Sequence, residues 1–185
     1  SSVTGVQTCA LPILAQQVCN LCLFLRLLWL ILSQVIWQSL LHNMPITQTQ
    51  TTSFKAELYE AVHDFTTDVF KIALYTSDAI LGADTTVYTT VGEVATGSGY
   101  TAGGKTLTGA TINTGYGTAY ISFDTPVTWT GASFTARGAL IYNSSKGNKA
   151  VAVYNFGEDQ NAGYANSFNL IMPADTAQEA LIRMS

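Results

Sequence analysis

The sequence predicts a mainly β protein, an antiparallel β-sandwich or partly closed, jelly-roll-like barrel preceded by one amphipathic helix. Three observations carry that prediction. Apolar residues recur with period two in short runs from Val69 to the C-terminus, and turn-forming Gly and Asn clusters separate the runs at short, even intervals. One stretch, from Phe54 to Phe65, carries the longer period of a helix instead. Charged residues make up only 11% of the chain, while Thr, Gly, Ala and Tyr are abundant, as expected for strands joined by turns of small residues.

The first 43 residues are expected to be foreign to the protein. Val3-Thr-Gly-Val-Gln-Thr-Cys-Ala-Leu-Pro-Ile13 matches, residue for residue, the in-frame translation of a common sequencing adapter, which makes Met44 the expected natural start. Residues 14–43 contain a nearly continuous apolar run from Leu21 to Leu32, broken by Arg26. With Val35, Ile36 and Trp37 the run approaches the ~20 residues that cross a bilayer. The internal Arg, the polar Gln16 to Asn20 ahead of it, and the lack of a flanking basic cluster or cleavage site weigh against a signal anchor. Translated upstream DNA is the expected origin, and no membrane partner is assigned to the remaining domain. All three cysteines, Cys9, Cys19 and Cys22, lie in this extension, so the Cys19-Asn-Leu-Cys22 spacing does not argue for a metal or redox site. From Met44 onward, 7 Lys and Arg stand against 12 Asp and Glu, a net charge of −5, which offers no basic surface for nucleic acid.

Residues 44–52, Met-Pro-Ile-Thr-Gln-Thr-Gln-Thr-Thr, read as a flexible arm with no internal partner, which would gain order on a neighbouring subunit. Residues 53–185 form the single β-rich domain. Ser53 is the predicted N-cap of the helix, whose stripe is Phe54, Leu58, Ala61, Val62 and Phe65, with Glu57, Glu60 and Asp64 off the stripe. His63, beside the stripe and without a Ser or Cys motif nearby, reads as a solvated or cap-proximal residue. Val69 to Tyr75 alternates Phe70, Ile72 and Leu74 on a core face with Lys71, Ala73 and Tyr75 on the other, and a loop follows over 76–86. Strands are predicted over Lys105 to Asn113 and Thr118 to Asp124, joined by the hairpin turn Thr114-Gly-Tyr-Gly117, with Ala119, Ile121 and Phe123 inward. A short strand over Val127 to Thr130 comes next. Phe134 to Tyr142 and Lys149 to Phe156 flank the strong turn Asn143-Ser-Ser-Lys-Gly-Asn148. Phe168 to Met172 and Glu179 to Met184 complete the set.

The most prominent chemical motif is Gly99-Tyr-Thr-Ala-Gly-Gly104-Lys105-Thr106, which satisfies the phosphate-loop pattern G-x-x-x-x-G-K-[ST]. Such a loop needs a buried strand before it and a helix after it, whose N-terminal amides receive the anion. Glu93-Val-Ala-Thr96 is short and half polar, and Leu107 to Ile112 is rich in Gly and Thr, so the expectation is a glycine-rich loop leading into a strand. Glu158-Asp159 and Asp124 are the only carboxylates resembling a glycosidase pair. The former reads as a solvated loop, and a pair of that kind is defined by spatial separation. Asp78, Asp84 and Asp175 read as turn residues. Tyr100, Tyr116, Tyr120, Tyr142, Tyr154 and Tyr164 read either as packing residues or, with the stretch Asn161 to Asn166, as groups that stack on a glycan.

The ordered series Phe70-Lys-Ile-Ala-Leu-Tyr-Thr-Ser77, Glu93-Val94, Gly97-Ser-Gly-Tyr-Thr-Ala-Gly-Gly104, Trp129, Ala136-Arg-Gly-Ala-Leu-Ile-Tyr142 and Ala180-Leu-Ile-Arg183 resembles a family of small tailed-bacteriophage proteins encoded among virion-structural genes. The resemblance runs from about Met44 to the C-terminus. It implies a non-enzymatic structural component of a virion, a capsid decoration or head fibre-base protein or a tail-associated one. Such a protein is made in the host cytoplasm and associates with other virion proteins and with itself. The resemblance carries over no catalytic, cofactor-binding or metal-binding residue, and none is expected. A glycan- or host-surface-binding β module is the second reading, and a nucleotide-binding protein through Gly99 to Thr106 the third.

Overall fold

The computed structural model describes residues 46–163 and 166–185. The expected adapter-derived extension and Tyr164 lie outside the described residues. Among the described residues, in chain order, the strands are β1 (Thr49–Gln50), β2 (Phe70–Tyr75), β3 (Lys105–Thr106), β4 (Thr111–Gly115), β5 (Thr118–Ser122), β6 (Val127–Ala132), β7 (Thr135–Asn143), β8 (Lys149–Asn161), β9 (Asn166–Leu170) and β10 (Ile182–Met184), with one α-helix, α1 (Thr52–Tyr59), and a single 3-10 turn over Ser144–Lys146. Every strand pairing is antiparallel. The strands form a five-stranded sheet in the order β1-β8-β7-β2-β3, a three-stranded sheet β10-β5-β4 and a two-stranded sheet β6-β9. The result is a mainly β, sandwich-like fold; no barrel closes.

Alternation along β2 explains the layering. Phe70, Ile72 and Leu74 face a core shared with α1, Trp129 of β6, Phe168 and Leu170 of β9 and Ile182 of β10. Trp129 and Phe54 are almost wholly excluded from water, and each such side chain contributes roughly 2 kcal/mol of hydrophobic stabilisation. The opposite face differs from the sequence expectation, since Ala73 and Tyr75 are as deeply buried as their neighbours. They sit in a second core with Ile46, Ala79, Leu81, Leu140, Tyr142 and Val153. The segment after β2, which has no apolar period of its own, folds over that face and covers it.

Several predicted boundaries shift for identifiable reasons. The strand expected over Lys105 to Asn113 is broken in two, because Gly109 adopts φ +66° and a side chain there would overlap the Asp124 carboxylate. β6 continues through Gly131 to Ala132, and its register with β9 shifts between Trp129 and Ala132. β8 extends to Asn161, so Glu158 and Asp159 lie on a strand and not in a loop. Phe123 is buried as predicted, but Ile121 is half-buried and Ala119 is exposed.

The residues expected to form a free arm have internal partners from Ile46 onward. Ile46 is 2% exposed, and its carbonyl accepts from Asn155 Nδ2 at 2.6 Å. Gly138 leaves the space it fills, since a Cβ at Gly138 would lie 2.9 Å from Ile46 Cγ2. Thr49 and Gln50 pair with Val153 and Ala152. The N-cap is Thr51 and not Ser53. The Thr51 hydroxyl accepts from Phe54 N at 3.2 Å and donates to Ala150 O at 3.0 Å, which anchors the helix start to β8. At the other end, Ala61 takes φ +53°, Ala61 N donates to Leu58 O and Val62 N donates to Glu57 O. That is a Schellman closure, and it stops the helix at Tyr59 although the apolar stripe continues to Phe65. Removal of Ile46 to Thr51 is expected to cost roughly 3 kcal/mol, about 2 from the Ile46 side chain and about 1 from the cap. The urea midpoint reads this directly, and an unchanged midpoint would restore the free-arm picture.

Candidate functional site

The glycine-rich stretch is folded around a carboxylate of the chain itself. Glu93 Oε1 accepts from Gly103 N at 2.7 Å and from Tyr100 Oη at 2.7 Å, and Glu93 Oε2 accepts from Tyr88 Oη at 2.6 Å. Several other amides of the stretch are also engaged. Tyr100 N and Gly97 N exchange bonds with each other's carbonyls at 2.9 Å, Ala102 N donates to Thr96 Oγ1 at 3.0 Å, and Gly104 N donates to Thr101 O at 3.0 Å. A phosphate loop presents several such amides to a bound anion; here Gly103 N is given to an internal carboxylate, and Tyr100 N, Ala102 N and Gly104 N are given to oxygens of the same loop. Gly104 lies against the backbone of Ile72 and Ala73 in β2, and the chain continues into β3, not into a helix. Lys105 Nζ donates to Thr128 O at 2.5 Å and sits 5.7 Å from the Trp129 ring centroid. The motif is therefore a structural knot, in which Glu93, Tyr100, Gly103, Gly104 and Tyr142 meet. Tyr142, from the Ala136 to Tyr142 run, donates to Gly103 O at 2.7 Å and stacks on Tyr88 at 4.7 Å. Sequence inspection missed Glu93 as the centre, because its partners are scattered from Tyr88 to Gly103 without any period.

Four phenols surround this knot, and burial makes each harder to ionise. Tyr100 is pushed well above its ordinary value first by burial and then by its bond to Glu93, and Tyr88 shifts the same way for the same reasons. Tyr75, which donates to Thr89 O, is raised by burial and by the Glu93 charge, as is Tyr142. The folded state thus holds these protons more tightly than the unfolded chain. Their contribution is complete below the unfolded phenol value near pH 10 and is lost as pH rises above it. A urea midpoint that is level from pH 8 to pH 9.5 and falls steeply towards pH 11 is the expected result. A level profile through pH 11 would mean that these phenols ionise freely in the folded state.

Of the two positions expected for His63, solvated or near a cap, it takes the second, just past the C-cap of α1. Its side chain is 0% exposed, not solvated, because the Schellman turn folds it back beneath α1, 5.1 Å from the Phe54 ring. Asn143 Nδ2 donates to His63 Nδ1 at 3.0 Å and to Asp68 Oδ2 at 2.7 Å, while Asn143 Oδ1 accepts from Ser145 N. This pattern assigns the remaining proton to His63 Nε2, which donates to Glu57 Oε2 at 2.8 Å. Glu57 also receives Lys149 Nζ, and Lys146 approaches Asp68 at 3.6 Å. Burial pushes the Glu57 carboxyl up, but the bonds from Lys149 and His63 and the Lys149 charge outweigh it, and the carboxyl is held below its ordinary range. Both ring nitrogens are committed, so His63 is not available as a base. Beside this network lies an apolar cleft of 470 Å³ between α1 and the β10-β5-β4 sheet, lined by Phe54, Leu58, Phe65, Ile112, Ile121, Ile182 and Met184.

The remaining candidates take structural positions. Asp124 Oδ2 accepts from Thr108 Oγ1 at 2.8 Å, and Asp159 pairs with Arg137 at 3.3 Å. Asp78, Asp84 and Asp175 are exposed in turns and bends. Tyr100 and Tyr142 belong to the cores, Tyr120 is half-buried on β5, and Tyr116 is 92% exposed at the β4–β5 turn. Tyr154 lines a separate cleft of 450 Å³. Among the described residues, no group of three His, Cys, Asp or Glu is placed to hold a metal ion, and no helix is long and apolar enough to cross a membrane. Comparison with protein-family models, with curated proteins and with solved structures finds no match to this chain.

Proposed function

We propose that this chain is a non-enzymatic structural component of a tailed-phage virion, a capsid decoration or fibre-base protein or a tail-associated one, which assembles with other virion proteins and with copies of itself. The observation that carries the reading is the ordered series from Phe70 to Arg183, with its resemblance to small phage proteins. The use the fold makes of that series supports it: Glu93, Tyr100, Gly103, Gly104 and Tyr142 form a bonded knot that fixes a long loop on the central sheet. Of the groups that would serve a nucleotide-binding protein, Lys105 and the amides of Tyr100, Ala102, Gly103 and Gly104 are engaged within the chain. Mass spectrometry of purified particles of a phage carrying the gene tests the reading. Peptides from the region after Ile46 are expected at a constant ratio to a major virion protein, and comparison of full particles with tailless heads separates capsid from tail. Absence from particles that are otherwise complete would reject the assignment.

A further inference from the structure

We infer that the cleft between the distal half of β8 and strand β9 is a binding site for a neutral saccharide. The inference does not depend on the virion reading, since it rests on the chemistry of the lining. Tyr154, Phe156, Gln160, Asn161, Ser167 and Asn169 contribute to a cleft of 450 Å³ to which, among the described residues, no charged side chain contributes. That volume lies within the roughly 300–1,000 Å³ of small-molecule sites. A sugar offers hydroxyls that donate and accept, together with apolar C–H faces. Side-chain amides answer the hydroxyls, because each carries both donor and acceptor without charge, and aromatic rings answer the faces.

The polar groups are held ready. Asn169 Oδ1 accepts from Thr128 Oγ1 at 2.8 Å and Asn161 Oδ1 accepts from Gly163 N at 2.8 Å, so each amide is oriented by its oxygen and its NH2 group remains for a ligand. The side chains of Gln160 and Ser167 make no hydrogen bond with any described residue. The aromatic platform is equally fixed. Tyr154 and Phe156 are two positions apart on β8, hence on one face, with rings edge to face at 5.3 Å. Phe156 in turn lies 6.2 Å from the buried Phe168 ring. The Tyr154 hydroxyl has only a long bond, 3.4 Å, to Ile171 O. A site ordered in advance loses little freedom when a ligand enters. Single-stranded nucleic acid also stacks on aromatic rings, but it needs a cationic groove along its backbone, and among the described residues no Lys or Arg lines this cleft.

The test is a screen of the full-length chain on an array of neutral and sialylated glycans, followed by saturation-transfer NMR titration of free oligosaccharides that bind. Binding of a neutral glycan is expected, with affinity reduced about tenfold by Gln160→Ala and by Asn169→Ala, the loss of one ligand hydrogen bond each. Phe156→Ala is expected to abolish binding, but it also thins the core, so Gln160→Ala, which breaks no bond within the protein, is the decisive variant. Tyr116→Ala, at the exposed turn far along the chain, is expected to change nothing. Absence of binding to any neutral glycan, preference for sialylated ones, or full affinity in both amide variants would overturn the proposal.

Discussion

Gly104→Ala is expected to remove roughly 3–5 kcal/mol of stability, in the upper range of single substitutions and a large part of the 5–15 kcal/mol typical of a domain. Two effects add. Gly104 has φ +67°, a conformation that costs an alanine roughly 1–2 kcal/mol. A Cβ would also lie 2.6 Å from the Ile72 carbonyl carbon and 2.7 Å from Ala73 Cα, and it would overlap the Ile72 carbonyl oxygen. These are backbone atoms of the central strand, held by pairing to β7 on the other side, so the strand cannot give way as a flexible side chain would. Gly103→Ala is the control. Its φ is +87°, but the nearest atom a Cβ would meet is Tyr142 Oη at 3.5 Å. It should lose only the conformational part, about 1–2 kcal/mol. Urea unfolding of the two variants at constant slope separates the contributions, and equal losses would show that the close approach to β2 carries no weight.

Glu93→Leu is expected to be nearly as severe, at roughly 3 kcal/mol or more, because three donors lose one acceptor at the same time. Leaving a buried donor unsatisfied costs about 1–3 kcal/mol, and bonds to a carboxylate are about twice as strong as neutral ones. Glu93→Gln keeps an oxygen for Tyr100 and Gly103 while presenting an NH2 group towards Tyr88, and about half the loss is expected. Pairing Glu93→Gln with Tyr100→Phe in a double-mutant cycle should give a coupling of 0.5 kcal/mol or more, the usual range for residues in one bonded network being about 0.5–3. Additive losses would mean that the carboxylate and the phenol act independently.

What the sequence made legible follows from where the signals were local. β2, the β7–β8 hairpin around Asn143 to Asn148 and the turn at Gly115 to Gly117 were readable because alternation and turn chemistry lie within a few residues of each other. Burial of the second face of β2 was not, since its cover is an aperiodic loop whose apolar residues, Ala79, Leu81 and Tyr88, are spaced by contacts to a sheet that must exist first. The end of α1 was misread because Phe65 continues the apolar stripe, whereas the chain reaches the same core through a turn and not through a further helical turn. The break at Gly109 depends on Asp124, fifteen residues on, and the burial of His63 depends on Asn143, from a different strand. The glycine-rich motif was visible, yet its role was not, because pattern matching reads the loop amides and cannot see which acceptor they already serve. In the β8–β9 cleft, Tyr154 and Asn161 stood out by type. Phe156, Gln160 and Asn169 did not, because only the fold brings them to one opening.

The way irregular segments bond to the central sheet has a consequence for strand sharing between molecules. Along the outer side of β2, Leu107 N donates to Phe70 O, β3 pairs with Lys71 and Ile72, Leu74 N donates to Tyr100 Oη, Val94 N donates to Leu74 O, and Tyr75 bridges to Glu93. On the far side, Ala150 N donates to Thr86 O, Thr51 N donates to Val151 O, and β1 takes Ala152 and Val153. Covered in this way, β2 and the first half of β8 leave little ladder on which another chain can template a strand. The most apolar strands of the protein are therefore shielded from the aggregation that a bare border would invite. Among the described residues, the margins that remain for strand addition by a neighbouring molecule are β4, β6 and β9 of the smaller sheets and the part of β8 beyond Val153.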